Sequence, residues 1–121
     1  RTTKEGYSMI LNINDIGGEI VKQDDRYTVI DNKTLNNLVV SSTDLKPNKS
    51  TSGHAHVGQE EVYQFISGSG KIELIDLNGK HHDQEVYPND LVLIPDGWFH
   101  RVYAYDDGIY FVCVFDGRRT H

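Results

Sequence analysis

The feature that most constrains this chain is the period of its apolar residues, which is two rather than 3.6. Runs rich in β-branched and aromatic residues fall at 8–12, 27–30, 37–42, 61–67, 71–77, 84–87, 91–94, 100–105 and 109–115, and each reads as a strand. No segment repeats the apolar pattern of a core-facing helix over three turns, so any helix is expected to be short and peripheral. The runs are separated by Ser67-Gly68-Ser69-Gly70, Asn78-Gly79 and Asp106-Asp107-Gly108, whose residues tolerate positive φ and read as tight reversals. Pro88 and Pro95 bracket the run at 91–94, because proline cannot donate to a ladder.

Strands that lack helices to cover them must bury an apolar face against another sheet, and closure removes exposed edges. The pattern therefore predicts an all-β double-sheet barrel of the jelly-roll kind. With 121 residues the chain can build one core but not two, so residues 1–121 are read as a single domain. Hydrophobic residues make up 37% of the chain, which argues against disorder.

Other classes are excluded by charge and run length. A net charge of −6 without a basic stripe argues against nucleic acid and anionic membrane surfaces. Arg118, Arg119 and His121 form the only cationic cluster and read as a solvated tail. The longest apolar runs, 91–95 and 109–115, are far too short to cross a bilayer as helices, and neither a membrane span nor a secretory leader is expected. A soluble, cytoplasmic protein is expected. The single cysteine, Cys113, excludes an intrachain disulfide and sits in an alternating apolar run, where a buried, inert thiol is expected.

Chemistry concentrates at 51–61. In an extended segment His54 and His56 share a face, so both imidazoles can address one ion. Gly58 lets the chain turn, and Glu61 then heads the next apolar run. His100 follows Pro95-Asp96-Gly97-Trp98-Phe99 as another strand begins. Three imidazoles and a carboxylate suit one divalent transition metal, Mn, Fe, Zn, Ni or Co, with positions left open for water or substrate. Strand alternation admits only one of Glu60 and Glu61, and Glu61 is favoured. His81 and His82 lie in a polar turn and are read as solvent-facing.

These residues resemble the cupin superfamily. Its first motif is matched by His54-Ala55-His56, four residues, Glu61, six residues and Gly68, with Asn48 where the family opens on glycine. Its second is matched by Pro95-Asp96-Gly97, two residues and His100, with Asn89 for the opening glycine and Ala104 for the closing asparagine. Asparagine enters the left-handed region more readily than most residues, so Asn48 and Asn89 are compatible replacements. The resemblance implies a double-stranded β-helix with the four ligands inside its open end, and a homodimer.

Cupins span many chemistries, so the resemblance leaves the reaction open. The leading expectation is a metal-dependent isomerase or epimerase acting on a sugar or related hydroxy-carbonyl compound, the metal serving as Lewis acid. Tyr63 is the candidate acid or base, with Glu60 as a second candidate. Alternatives are a non-haem iron dioxygenase and a non-catalytic small-molecule or carbohydrate-binding cupin. The expected partner is a small molecule, with a carbohydrate the leading candidate. Trp98 and Phe99 are expected to pack the turn that positions His100.

Overall fold

The computed structural model, which describes residues 9–118, contains seven strands, six of which overlap the runs of apolar alternation. They are β1 (Glu19–Gln23), β2 (Tyr27–Asn32), β3 (Leu38–Leu45), β4 (Glu61–Ile75), β5 (Gln84–Val86), β6 (Leu91–Ile94) and β7 (Phe99–Asp116). All pair antiparallel in one sheet ordered β1-β2-β3-β7-β4-β5, with β6 also on β4.

Two of the expected reversals are bulges instead. Ser67-Gly68-Ser69-Gly70 lies inside β4, and Asp106-Asp107-Gly108 lies inside β7. There the β4–β7 register slips, between Phe65 and Ser67 and again between Gly68 and Gly70. Bulges bend strands, so each long strand serves two halves of the sheet. The first half of β4 pairs β6 and the end of β7, whereas its second half pairs β5 and the start of β7.

Glycine is required at the bend. A Cβ on Gly68, at φ +77°, would stand 2.1 Å from the Gly108 carbonyl oxygen. Crowding of backbone on backbone is what excludes a side chain there.

Closure into a jelly-roll barrel does not occur. The pairing path runs from β1 at one edge to β5 at the other, and no strand pair joins the two ends among the described residues. The edge argument for closure is answered differently: β1 is exposed along its length and carries Glu19, Lys22 and Gln23, polar residues that tolerate solvent. The sheet folds over itself at the bulges instead. Its main core unites Phe65, Ile94, Ile109 and Phe111 from one half with Ile72, Leu74, Val102 and Ala104 from the other.

Some local expectations also change. β1 replaces the expected strand at 8–12, of which Ser8 lies outside the described residues and Asn12 makes only an isolated bridge to Asp15. Arg119 and His121 likewise lie outside the described residues. Beside the motifs, Phe65 and Val102 are each 1% exposed while Gln64 faces solvent. Asn48 (φ 62°) and Asn89 (φ 78°) are the described non-glycine residues with positive φ, the conformation a glycine would otherwise supply. Ala104 packs in the core, where a side chain without a polar group needs no partner. No described helix is long and apolar enough to cross a membrane.

Candidate metal centre

Backbone pairing brings the two motifs together. His54 and His100 exchange hydrogen bonds, with the His54 amide donating to the His100 carbonyl at 3.1 Å and the His100 amide to the His54 carbonyl at 2.8 Å. Val102 N–H donates to Thr51 Oγ1 at 3.0 Å, and Gly97 N–H donates to the His56 carbonyl at 3.1 Å. Asp96 accepts from the Gly58 amide at 2.6 Å. The Pro95-Asp96-Gly97 turn thereby clips the loop that carries the paired histidines.

The side chains converge. His54 and His56 stack with centroids 5.4 Å apart, and His100 stands 6.3 Å and 6.2 Å from them. Glu61 and His100 are both buried, and Glu61 Oε2 lies 2.9 Å from His100 Nε2. His100 Nδ1 lies 3.2 Å from the Trp98 carbonyl, which fixes that nitrogen as the donor and turns Nε2 inward as a lone-pair donor to an ion. Buried Gln59 donates to Glu61 Oε1 at 3.4 Å, while its own Oε1 is buried with no hydrogen-bond partner. Burial, followed by the charges of His56 and His100, holds the His54 imidazole below its ordinary value, which favours the neutral form able to offer a lone pair. The donor chemistry fits one divalent transition metal.

These residues line a cavity of about 420 Å³. Tyr63 forms part of its wall, stacked on Phe111 at 5.0 Å and edge-on to His100 at 5.7 Å. Burial pushes the Tyr63 phenol well above its ordinary value, and Cys113 and Glu61 add to the shift. Glu60 is exposed and borders a different depression beside Gly58 and Asp96, so the fold does not bring it to the cavity. Cys113 is buried in the wall, where burial raises its thiol far above the ordinary value and leaves it protonated. Trp98 stacks on His82 at 4.8 Å and packs against the core, outside the cavity lining.

Two features escape the sequence pattern. Tyr27, 4% exposed, lies at the cavity with Lys22 Nζ 5.2 Å from its ring centroid and the Arg26 guanidinium 4.7 Å from it. Burial works to raise the Tyr27 phenol, but hydrogen bonds to Lys22 and Ser52 outweigh it and the net shift is downward. The second feature is a donor cluster. Glu73, His81 and Asp83 place one ligand atom each within 4.8 Å of one another, a grouping consistent with a divalent metal. His81 and His82 face solvent in part, as expected, and are also paired, His81 with Asp83 at 3.3 Å and His82 with Asp76 at 2.9 Å. The signal was the acids at 73, 76 and 83, which flank the two histidines across one hairpin.

Comparison with known proteins finds similarity to an oxalate decarboxylase. Oxalate decarboxylase OxdC of Bacillus subtilis (strain 168) is 32% identical over 80 residues, which are 66% of this chain and 20% of that protein. A deletion variant of the same B. subtilis enzyme superposes with a TM-score of 0.77 at 22% identity, covering 95% of this chain and 32% of that one. A tryptophan-to-phenylalanine variant gives 0.75 at 23%, covering 91% and 30%. The chain spans about a fifth of the curated relative and under a third of the solved chains.

The sequence relative overturns the leading functional expectation. It is a decarboxylase, which breaks a carbon–carbon bond, and neither a sugar isomerase or epimerase nor a dioxygenase nor a carbohydrate-binding protein. The four predicted ligands, spread over two motifs, allowed all of these chemistries equally, because none of them depends on the donor set alone. A family model described as Cupin matches residues 11–120, nearly the whole sequence, and with both motifs brought to one cavity the chain belongs to the cupin family.

Proposed function

We propose that the chain is a metal-dependent lyase that decarboxylates a small oxalate-like carboxylate, with the metal held by His54, His56, Glu61 and His100. The observation that carries this reading is the convergence of those four side chains on one cavity of about 420 Å³, which has room for a small carboxylate beside the ion. Likeness to oxalate decarboxylase supplies the reaction class. The cluster of Glu73, His81 and Asp83 fits the role less well, because His81 and Asp83 are exposed and Glu73 also pairs with Arg101 at 3.4 Å.

A divalent ion held there supplies Lewis-acid anchorage for carboxylate oxygens. Cleavage releases carbon dioxide and leaves an electron pair on the remaining carbon, which must take up a proton, so the reaction is redox-neutral. Tyr63 keeps its proton at neutral pH and faces the same cavity, which makes it the proposed proton donor. Phe65 and Phe111 buttress its ring at 6.3 Å and 5.0 Å and fix where that proton is offered. The test is to incubate metal-loaded protein with oxalate. Equal yields of formate and carbon dioxide without stoichiometric dioxygen uptake are expected, and a fully loaded protein that turns over neither oxalate nor malonate contradicts the reading.

We further propose a homodimer formed through the outer face of the sheet. Leu93, Val62, Val114 and Val40 form a cross-strand row there, and Leu93, Val62 and Val114 are 70%, 41% and 38% exposed, with Leu91 beside them at 63%. An exposed apolar row of this kind is the surface that a stable interface, burying roughly 800 Å² per partner, would cover. The row carries no charge, so two copies of a chain with net charge −6 can approach there without like charges opposed. Sedimentation is expected to give a dimer that Leu93→Lys converts to monomer. The free, buried thiol of Cys113 is compatible with a reducing compartment and supports a cytoplasmic placement.

A further inference from the structure

The edge strand β1 changes register partway along. Glu19 pairs Asp31 and Ile20 pairs Ile30, but Lys22 pairs Val29 and Gln23 pairs Thr28, so Val21 is an extra residue in a β-bulge. On β2, Tyr27, Val29 and Asp31 line the metal cavity while Thr28 and Ile30 do not. Without the bulge Lys22 would oppose Thr28 and point away from the cavity. With it, Lys22 opposes Val29 and lines the cavity together with Val21, two consecutive residues that a regular strand would send to opposite faces. Gln23 is turned outward by the same slip, where its Nε2 donates to Thr28 Oγ1 at 3.1 Å.

The ammonium group so placed is held by Tyr27, over whose ring it lies at 5.2 Å. Lys22 and the proposed ligands His54, His56, Glu61 and His100 line the same cavity. Among the described residues that line this cavity Lys22 is the one cation, and it faces two acids, Asp31 and Glu61. Arg26, which also lies against Tyr27, is drawn off by Asp24 at 3.0 Å. A dianion entering this cavity would meet an acidic lining relieved only by the metal and by Lys22.

We infer that Lys22, turned inward by the β1 bulge, binds the second carboxylate of a dicarboxylate substrate whose first carboxylate sits at the metal. The inference rests on the decarboxylase reading and adds to it a specificity-determining residue: Lys22 selects dicarboxylates over monocarboxylates by a charge-assisted hydrogen bond. Lys22 is exposed on an edge strand, so its replacement leaves the core untouched.

The test is calorimetric binding of oxalate and of formate to metal-loaded wild type, Lys22→Met and Lys22→Arg, with metal content measured in parallel. Expected are unchanged metal content in all three, oxalate affinity about tenfold or more weaker in Lys22→Met, little change in formate affinity, and recovery of most oxalate affinity in Lys22→Arg. Oxalate affinity equal in wild type and Lys22→Met at equal metal content overturns the role of Lys22 alone. A loaded wild type that binds neither anion overturns the decarboxylase reading and the role of Lys22 with it.

Discussion

Gly53 lies directly under the ring of Phe99: a Cβ on Gly53 would stand 2.1 Å from Phe99 Cζ. Each residue precedes a proposed ligand, Gly53 before His54 and Phe99 before His100, so a side chain at 53 would press on the segment that carries His100. Gly53→Ala is expected to push the two segments apart, cost about 1–3 kcal/mol by overpacking, and lower metal retention. Urea unfolding and metal analysis check both effects. Adding Phe99→Leu to Gly53→Ala is expected to restore part of each.

The bulge in β4 gives a paired comparison. Gly68→Ala forces a side chain into φ +77° and against the Gly108 carbonyl, whereas Gly79→Ala meets only the cost of φ +83°, with nothing within 4 Å of its Cβ. Gly79→Ala should lose about 1–2 kcal/mol for the left-handed conformation, and Gly68→Ala distinctly more. Equal losses in thermal unfolding would contradict the role of the bulge as a backbone crossing point.

The metal-stripped protein should weaken in mild acid. His54 in the folded chain titrates below the 6.5 of a free imidazole, with burial the first cause and His56 and His100 the next. As the pH falls through about 6.5 the unfolded chain takes up a proton that the folded chain resists, so stability declines toward the folded value; above about pH 7 the His54 contribution is flat. Urea midpoints measured from pH 5 to 8 are expected to show this slope, and His54→Gln to reduce it.

Trp98 is a packing residue on this account. It stacks on His82 and the core while its carbonyl holds His100 Nδ1. Trp98→Leu should lower stability by about 1–3 kcal/mol and loosen metal retention with it, because the turn that aims His100 is undermined. Oxalate affinity of the protein that stays loaded should not change. A selective loss of oxalate affinity at full metal content would place Trp98 at the substrate instead.

The site was more legible in the sequence than the sheet. His-x-His, the following acid and Pro-x-Gly-x-x-His have fixed local spacings, so the convergence of His54, His56, Glu61 and His100 could be anticipated from strand alternation and two turns. Gly68 and Gly70 misled because a glycine demanded by a close backbone crossing looks the same in sequence as a glycine demanded by a reversal. β1 was invisible because Glu19–Gln23 is exposed throughout and carries no apolar alternation. Its inward lysine was doubly hidden, since a one-residue register slip leaves no compositional mark. Closure was wrongly expected because sheet edges can be protected by polar side chains as well as by pairing.

The most direct test of the central claim is the metal content of purified wild type, of Glu61→Gln with His100→Gln, and of His81→Gln with Asp83→Asn. Expected are about one equivalent of a divalent transition metal in the wild type, loss of that metal in the first double variant, and retention in the second. Retention in the first and loss in the second would move the metal to the Glu73, His81 and Asp83 cluster and contradict the assignment of the cavity as the reaction centre.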